Sequence, residues 1–219
     1  MLSRMKIGVF DSGVGGLSVA NAIELALPDA EIVFRYDSDH FPYSTRPPEE
    51  IYGFVLPILE SLIKDGCQAI VIACNTVSTT LIDQLRQAVR VPLIAMEPMI
   101  KPAAEMTKSG VIAVCATPTT LASARYLWLK QTYAPDIMVI EPDCSDWSYL
   151  IENNQIDEAK IRDRLHSALD QDADVIVLGC THYHWIEADI QAIAVGRATV
   201  IQPEQAVIAQ LKRVLAQLG

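Results

Sequence analysis

The sequence repeats itself once. The segment IGVFDSGVGGL aligns with IAVCATPTTLA further along the chain, and this alignment places Ser12 opposite Thr117. The segment AIVIACNT aligns with VIVLGCTH, and this one places Cys74 opposite Cys180. The offsets are 105 and 106 residues, so the two alignments agree within one residue. Two matches at nearly one offset indicate an internal duplication.

Short runs of β-branched and apolar residues alternate with longer segments of helical periodicity in both halves. This alternation predicts an α/β fold with parallel sheets covered by helices on both faces. Ligands of such sheets bind beyond the carboxyl ends of the strands. The predicted strands are Lys6–Phe10, Glu31–Tyr36, Ala69–Ala73, Val91–Ala95, Val111–Cys115, Asp136–Ile140, Val175–Leu178 and Thr199–Ile201. The helices predicted with definite bounds are Glu49–Lys64, Val77–Val89 and Glu204–Leu218, and Gly13–Leu27 is predicted as a loop that turns into a helix.

The duplication divides the chain into two predicted domains. Residues 1–96 form the first, residues 97–203 form the second, and the last helix, within 204–219, returns to the first. No linker rich in Pro, Gly or Ser separates the halves. We therefore expect two pseudo-symmetric parallel-sheet α/β domains, closely packed with a hinge, and an active site in the cleft between them.

Charge and cysteine content narrow the class of protein. The 219 residues carry a formal net charge of -10, and such an acidic balance disfavours nucleic acid and membrane surfaces as partners. The five cysteines are an odd number and are widely spread, which does not fit a disulfide framework in a chain of this length. The sequence starts without the apolar stretch of a signal peptide. These features predict a cytoplasmic protein whose thiols are free.

Cys74 and Cys180 are the strongest candidates for chemistry. Each directly follows a buried strand, and on opposite sides of a ligand they could invert a carbon acid, one thiolate removing a proton and the other thiol delivering one. A free thiol has a pKa of about 8.5, so a modest depression leaves some thiolate near neutral pH. The alternative is that both are small buried hydrophobic residues, as free cysteines usually are.

Three ionisable side chains could assist the thiols. Asp11 ends the first strand and could serve Cys74, whereas His182 and Glu152 could serve Cys180, because a carboxylate or imidazole within hydrogen-bond reach sets the protonation state of a neighbour. Each could also be only a helix cap or a structural hydrogen-bond partner. The DSGVGG segment starting at Asp11 supplies glycines and opens a helix whose N-terminus favours an anion such as a carboxylate.

Small polar side chains after strands and in loops could bind the carboxylates and the ammonium group of an amino acid, although each is a common cap or turn residue. They are Ser12, Tyr43, Asn75, Thr76, Thr117, Thr120 and Thr181. A metal site is the rival chemistry, because Cys180, His182 and His184 alternate and would face one way in an extended segment. No C-x-x-C or H-x-x-x-H accompanies them, so we predict no metal site.

Six motifs in order resemble those of glutamate racemases, in the aspartate/glutamate racemase superfamily. They span nearly the whole chain and read IGVFDSGVGGLSV, FPYS, ACNTVST, EPMIKPAAE, ATPTTLAS and LGCTHY. The resemblance implies an isomerase that interconverts L- and D-glutamate by two-base proton transfer, without a cofactor, and supplies D-glutamate for peptidoglycan and hence for cell wall and cell shape. It also implies a homodimer, as is common in this family.

Carried onto this sequence, the resemblance implies Cys74 and Cys180 as the acid/base pair. It implies Asp11, His182 and Glu152 as their supporting groups. Substrate contacts would come from Ser12, Pro42, Tyr43, Ser44, Asn75, Thr76, Thr117, Thr120 and Thr181, with Ser44 standing where the family usually has glycine. A racemase for aspartate or another carbon acid, and a ligand-binding homologue with reduced catalysis, are the alternatives.

Overall fold

The structure, a computed structural model, describes residues 4–218, which divide into two compact units. The first consists of the chain up to Met96 together with the segment from Glu204, and the second is Glu97–Pro203. Each unit contains one four-stranded sheet in which every neighbouring pair of strands is parallel.

The first unit is built on a sheet with the strand order β2-β1-β3-β4. Its two central strands, β1 and β3, pair in register from Ile7 opposite Ala69 to Phe10 opposite Ile72. The strands are β1 Lys6–Asp11, β2 Glu31–Tyr36, β3 Ala69–Ile72 and β4 Leu93–Ala95. The α-helices are α1 Leu17–Ala26, α2 Pro48–Lys64 and α3 Asn75–Ala88, and two short 3₁₀ turns span Val14–Gly16 and Tyr43–Thr45.

The second unit repeats this topology with the order β6-β5-β7-β8. Its strands are β5 Val111–Ala116, β6 Met138–Ile140, β7 Val175–Gly179 and β8 Thr199–Ile201. Its helices are α4 Ile100–Met106, α5 Pro118–Ala122, α6 Ala124–Tyr133, α7 Trp147–Glu152, α8 Glu158–Leu169 and α9 Glu187–Ala194, and a 3₁₀ turn spans Thr181–Ile186. Strands β1 and β5 occupy the same position in the strand order of their sheets, and so do β3 and β7. The predicted pseudo-symmetric α/β class is therefore confirmed.

The last helix of the chain, α10 (Glu204–Leu215), packs on the sheet of the first unit. Its apolar stripe, which includes the fully buried Leu211, belongs to one core cluster with Ile7 and Val9 of β1 and Val71 of β3. The burial of each such side chain contributes about 1.5–3 kcal/mol. The opposite face of the same sheet is covered by α2 and α3 through a second cluster, so helices cover both faces as parallel strands require.

The strand and helix limits differ from the predicted ones by only a few residues, and the differences have local causes. Strand β4 begins at Leu93 and not at Val91, because Pro92 has no N–H to donate, although its carbonyl accepts from the Ile70 N–H at 3.0 Å. Helix α3 begins at Asn75 and not at Val77, immediately after Cys74. None of the helices formed by residues 4–218 is both long and apolar enough to cross a membrane.

Candidate active site

Cys74 lies at the carboxyl end of β3, where the sheet of the first unit meets the N-terminus of α3. Strand β3 is buried along its whole length, and Cys74 takes the N-cap position of α3 in extended conformation. Ser78, in the first turns of α3, fixes this junction: its hydroxyl donates to the Ile72 carbonyl at 3.1 Å and accepts from the Met96 N–H at 3.0 Å. The Cys74 thiol is buried, and its Sγ lies 3.4 Å from Ser12 Oγ.

Asp11 is the last residue of β1, the strand that pairs directly with β3, so it ends at the same edge of the sheet as Cys74. Only 1% of its surface is exposed. Gly16 lies against it so closely that a Cβ at this position would stand 2.5 Å from Asp11 Cβ. The glycine is therefore required by close approach, because any side chain at position 16 would have to displace Asp11.

Tyr43 lies in the 3₁₀ turn that precedes α2 and belongs to the same core cluster as Cys74. Its hydroxyl donates to Asp37 Oδ2 at 2.6 Å. Burial, the hydrogen bond to Asp37 and the neighbouring charges of Asp37, Cys74 and Asp11 raise the pKa of Tyr43 far above its usual range, so the phenol stays protonated. Pro42 and Ser44, on either side, are partly buried.

Asn75 and Thr76 form the first turn of α3, directly after Cys74. Asn75 is 3% exposed, and neither polar atom of its side-chain amide has a hydrogen-bond partner within residues 4–218. A buried amide in this state is costly unless something else binds it, because buried polar groups are nearly always hydrogen-bonded. Its donor and its acceptor are thus available to a ligand at this edge of the sheet.

Cys180 occupies the equivalent position in the second unit, after the wholly buried strand β7 and before the 3₁₀ turn Thr181–Ile186. The thiol is buried, with Sγ 3.9 Å from His182 Nδ1. The other ring nitrogen, His182 Nε2, pairs with Glu152 Oε2 at the end of α7. A carboxylate on Nε2 favours a proton on that nitrogen, which leaves Nδ1 able to accept from the thiol.

Gly179, the residue before Cys180, also meets a close neighbour. A Cβ there would lie 2.9 Å from the Ala116 Cβ and 3.2 Å from the Cys115 carbonyl oxygen on β5. The polar residues predicted around Cys180 are buried as well. The Thr117 hydroxyl caps α5, accepting from the Thr120 N–H at 3.3 Å and donating to Thr120 Oγ1 at 3.0 Å, and Thr181 is 2% exposed.

The alternative of a metal site finds no support in the described part of the chain. Residues 4–218 contain no group of three or more His, Cys, Asp or Glu side chains placed to hold a metal ion. Cys180, His182 and His184 do not share a face, because residues 181–186 form a 3₁₀ turn with three residues per turn and not an extended segment. Cys67, Cys115 and Cys144 are buried and free.

Comparison with known proteins places the chain in a family. The family model described as Asp/Glu/Hydantoin racemase matches residues 15–211. The chain belongs to this family. A glutamate racemase of Ralstonia pickettii (strain 12J) is 40% identical over 221 residues, which cover 99% of this chain and 78% of the relative.

Solved structures of the family agree with this assignment. The glutamate racemase of Escherichia coli, solved with L-glutamate and the activator UDP-MurNAc-ala, has a TM-score of 0.91 at 27% identity, covering 97% of this chain and 83% of that one. The glutamate racemase of Francisella tularensis, solved with D-glutamate, has a TM-score of 0.82 at 29% identity, covering 99% and 82%. The isomerase class that the resemblance implies is therefore confirmed.

Within each unit, the structure brings together several residues that the sequence singles out. Around Cys74 these are Asp11, Ser12 and Tyr43, and around Cys180 they are His182 and Glu152. Their roles in a reaction stay predictions. Two residues of this site are not among the predicted ones: Asp37, which binds Tyr43, and His40, which binds Asp37. Asp37 directly follows β2, so the signal that selects Asp11, an acidic residue at the end of a strand, selects it too.

Proposed function

We propose that this chain is a cofactor-independent glutamate racemase in which Cys74 and Cys180 exchange protons with the two faces of the substrate α-carbon. One observation carries the proposal. The strands β3 and β7 hold the same place in two sheets of the same topology, and each is followed by a buried cysteine with a polar partner on its sulfur. The glutamate racemases at 36–40% identity support glutamate as the substrate.

The reaction balances without an external acid or base. A thiolate takes the α-proton, so a C–H bond breaks, an S–H bond forms, and the electron pair stays on the α-carbon and its carboxylate. The opposite thiol then gives its proton to the other face and becomes a thiolate. One turnover leaves the two cysteines with exchanged protonation states, so the reverse reaction uses the same groups with their roles reversed. The proposal requires both thiols to reach the α-carbon of one substrate molecule.

The supporting groups follow from the contacts within each unit. Ser12 lies within 3.4 Å of the Cys74 sulfur and Asp11 ends the adjacent strand, so both are assigned to Cys74. The imidazole of His182 is assigned to Cys180 as the group that accepts its proton, and Glu152 orients that imidazole. A positioned general acid or base contributes about 10²- to 10⁴-fold to rate.

Substrate binding is assigned to the buried polar residues at the carboxyl ends of the two sheets. The Asn75 amide, buried and without a partner within residues 4–218, is the strongest of these candidates. The others are Ser12, Pro42, Tyr43, Ser44, Thr76, Thr117, Thr120 and Thr181. The proposal also includes two domains, one formed by residues 1–96 with 204–219 and the other by residues 97–203. It further includes a cytoplasmic homodimer that supplies D-glutamate for peptidoglycan.

Incubation of L-glutamate with the protein in deuterium oxide tests the proposal. We expect the optical activity to decay to zero while deuterium appears at the α-carbon. Circular dichroism measures the first change and proton NMR measures the second, both on the same sample. L-Aspartate, incubated in parallel, separates a glutamate enzyme from an aspartate racemase. If both amino acids keep their α-proton and their optical purity at high enzyme concentration, the proposal is wrong. Calorimetry with each enantiomer then tests a ligand-binding role.

A further inference from the structure

The Tyr43 side chain is held by a chain of contacts that leads away from Cys74. Its hydroxyl carries one proton, and that proton goes to Asp37 Oδ2 at 2.6 Å. The side chain is 1% exposed and shares a core cluster with Cys74. The position of the turn Tyr43–Thr45 relative to Cys74 therefore depends on where the Asp37 carboxylate lies.

Asp37 is itself buried, with 7% of its surface exposed. A buried carboxylate is costly unless it is hydrogen-bonded and its charge is compensated. The Tyr43 hydroxyl supplies one hydrogen bond but no charge. His40 supplies the second, because its Nδ1 lies 2.9 Å from both Asp37 oxygens.

The His40 ring is fixed in this orientation from its other side. It stacks on Phe54 of α2, with ring centroids 3.7 Å apart and planes 12° from parallel. The His40 carbonyl accepts from Arg46 Nε at 2.7 Å, and Arg46 in turn pairs with Glu50 of α2. The ring therefore contacts helix α2 through Phe54 while its Nδ1 faces Asp37.

We propose, building on the function above, that His40 is a positioning residue that acts through Asp37. It anchors the carboxylate to helix α2, the carboxylate holds the Tyr43 hydroxyl, and the Tyr43–Thr45 turn is thereby kept in place beside Cys74. His40 does not touch the reacting atoms. Its contribution is to hold the binding side of the site, so its loss affects the KM for glutamate and not the proton transfer itself.

The test uses two substitutions that separate the ring from the hydrogen bond. His40→Phe keeps the stacking on Phe54 and removes the donor to Asp37, whereas His40→Asn keeps an N–H donor near the position of Nδ1 and removes the ring. A hydrogen bond to a charged group is worth about 1.5 kcal/mol or more, which corresponds to about a tenfold change. We expect His40→Phe to raise KM about tenfold with kcat within about twofold of wild type, and His40→Asn to recover most of that loss.

Dependence on Tyr43 gives the decisive comparison. In a Tyr43→Phe background, where the carboxylate no longer holds the turn, His40→Phe should raise KM no further. A tenfold rise that persists in that background, or a loss confined to kcat, would overturn the proposal. If His40→Phe does not fold, His40→Ala replaces it with the same expectations, because it also removes the donor.

A second measurement does not depend on racemisation. The rate at which iodoacetamide alkylates Cys74, measured by peptide mass spectrometry, reports how accessible this buried thiol is. We expect His40→Phe to speed alkylation of Cys74 several-fold and to leave Cys180, in the other unit, unchanged as an internal reference. Unchanged alkylation of Cys74 would contradict the role of His40 even if the wild-type protein proved not to racemise glutamate, so the two proposals fail separately.

Discussion

At the scale of single residues, the chemistry rests on what surrounds two buried sulfur atoms. Cys74 has a hydroxyl partner, Ser12, and Cys180 has an imidazole partner, His182, so the two thiols are not chemically equivalent despite their equivalent positions. The proposed mechanism needs each of them on one face of the substrate only. Removal of one thiol should therefore separate the two directions of the reaction.

Cys74→Ser and Cys180→Ser should each lower the rate of racemisation by about 10²- to 10⁴-fold, because each removes one proton-transfer group. Each variant should still exchange the α-proton of one enantiomer for deuterium through its remaining thiol, and the two variants should act on opposite enantiomers. Proton NMR in deuterium oxide with pure D- and pure L-glutamate measures this. Cys67→Ala, at a buried thiol outside the site, is the control and should keep wild-type activity. Normal racemisation in either serine variant would exclude the two-thiol mechanism.

Gly16→Ala should damage both stability and activity. The added Cβ would stand 2.5 Å from Asp11 Cβ, so Asp11 must move, and overpacking of this kind costs about 1–3 kcal/mol. Gly53→Ala is the matched control, because a Cβ there meets nothing within 4 Å and the residue lies inside α2. That change should stabilise the protein by about 0.5–1 kcal/mol. Urea unfolding and racemisation assays measure both effects, and an unaffected Gly16→Ala enzyme would show that Asp11 need not stay in place.

At the scale of the elements, the sequence predicts well what depends on local patterns. Strand β3 and the cysteine after it are predictable because a buried apolar run followed by Asn75 and Thr76 has few other interpretations. The anchoring of Tyr43 by Asp37 and His40 is not, since it depends on the path of the loop after β2 and on Phe54 from α2. The sequence likewise shows Cys180, His182 and His184 in alternation, but only the 3₁₀ conformation of this segment decides that they face different ways.

The 3₁₀ turn after β7 should make stability fall at mildly acidic pH. Burial, together with the charge of His182, lowers the pKa of His184 from 6.5 to about 4. The folded state thus binds a proton at His184 less readily than the unfolded state does. The stability linked to neutral His184 is therefore fully present above pH 6.5 and is lost as the pH falls from 6.5 towards 4. Between pH 7 and pH 5 we expect the free energy of unfolding to drop by up to about 2 kcal/mol from this residue alone. Urea titrations of the wild type and His184→Asn should show this drop in the wild type only, and equal pH dependence would contradict it.

Helix α10 should behave as a structural part of the first unit although it comes last in the chain. Leu211 is fully buried against β1 and β3, so Leu211→Ala should lower the free energy of unfolding by about 2–5 kcal/mol. Gln210→Ala, at the exposed neighbouring position on the same helix, is the control and should change it by less than about 0.5 kcal/mol. Equal effects of the two substitutions in urea unfolding would mean that α10 does not stabilise the sheet.

At the scale of the whole molecule, the two units differ in how the chain builds them. The second unit is one continuous segment, Glu97–Pro203, with its own sheet and core clusters on both faces. The first is discontinuous, because α10 joins α1 in covering one face of a sheet whose strands all precede Met96. The duplicated topology is therefore completed differently in the two halves.

Residues 97–203 expressed alone should fold and unfold cooperatively, because every strand and covering helix of that unit lies within them. Residues 1–96 alone should be much less stable, since the part of the apolar sheet face that α10 covers beside α1 would be exposed to water. Thermal melts by circular dichroism compare the two fragments. The control is the N-terminal fragment joined to residues 204–219 by a flexible linker, which should regain a cooperative transition; failure of the joined fragment to do so would contradict this division of the core.

The late position of α10 has a consequence during synthesis on the ribosome. The strands of the first unit emerge early together with α1, but α10, which covers the rest of the same sheet face, follows only after the roughly one hundred residues of the second unit. At about 5–20 residues per second, the apolar face formed by Ile7, Val9 and Val71 stays without α10 for roughly 5 to 20 s, while the second unit can complete its own core in that interval. The apolar face of this sheet is thus covered completely only when α10 has left the ribosome and can pack on it.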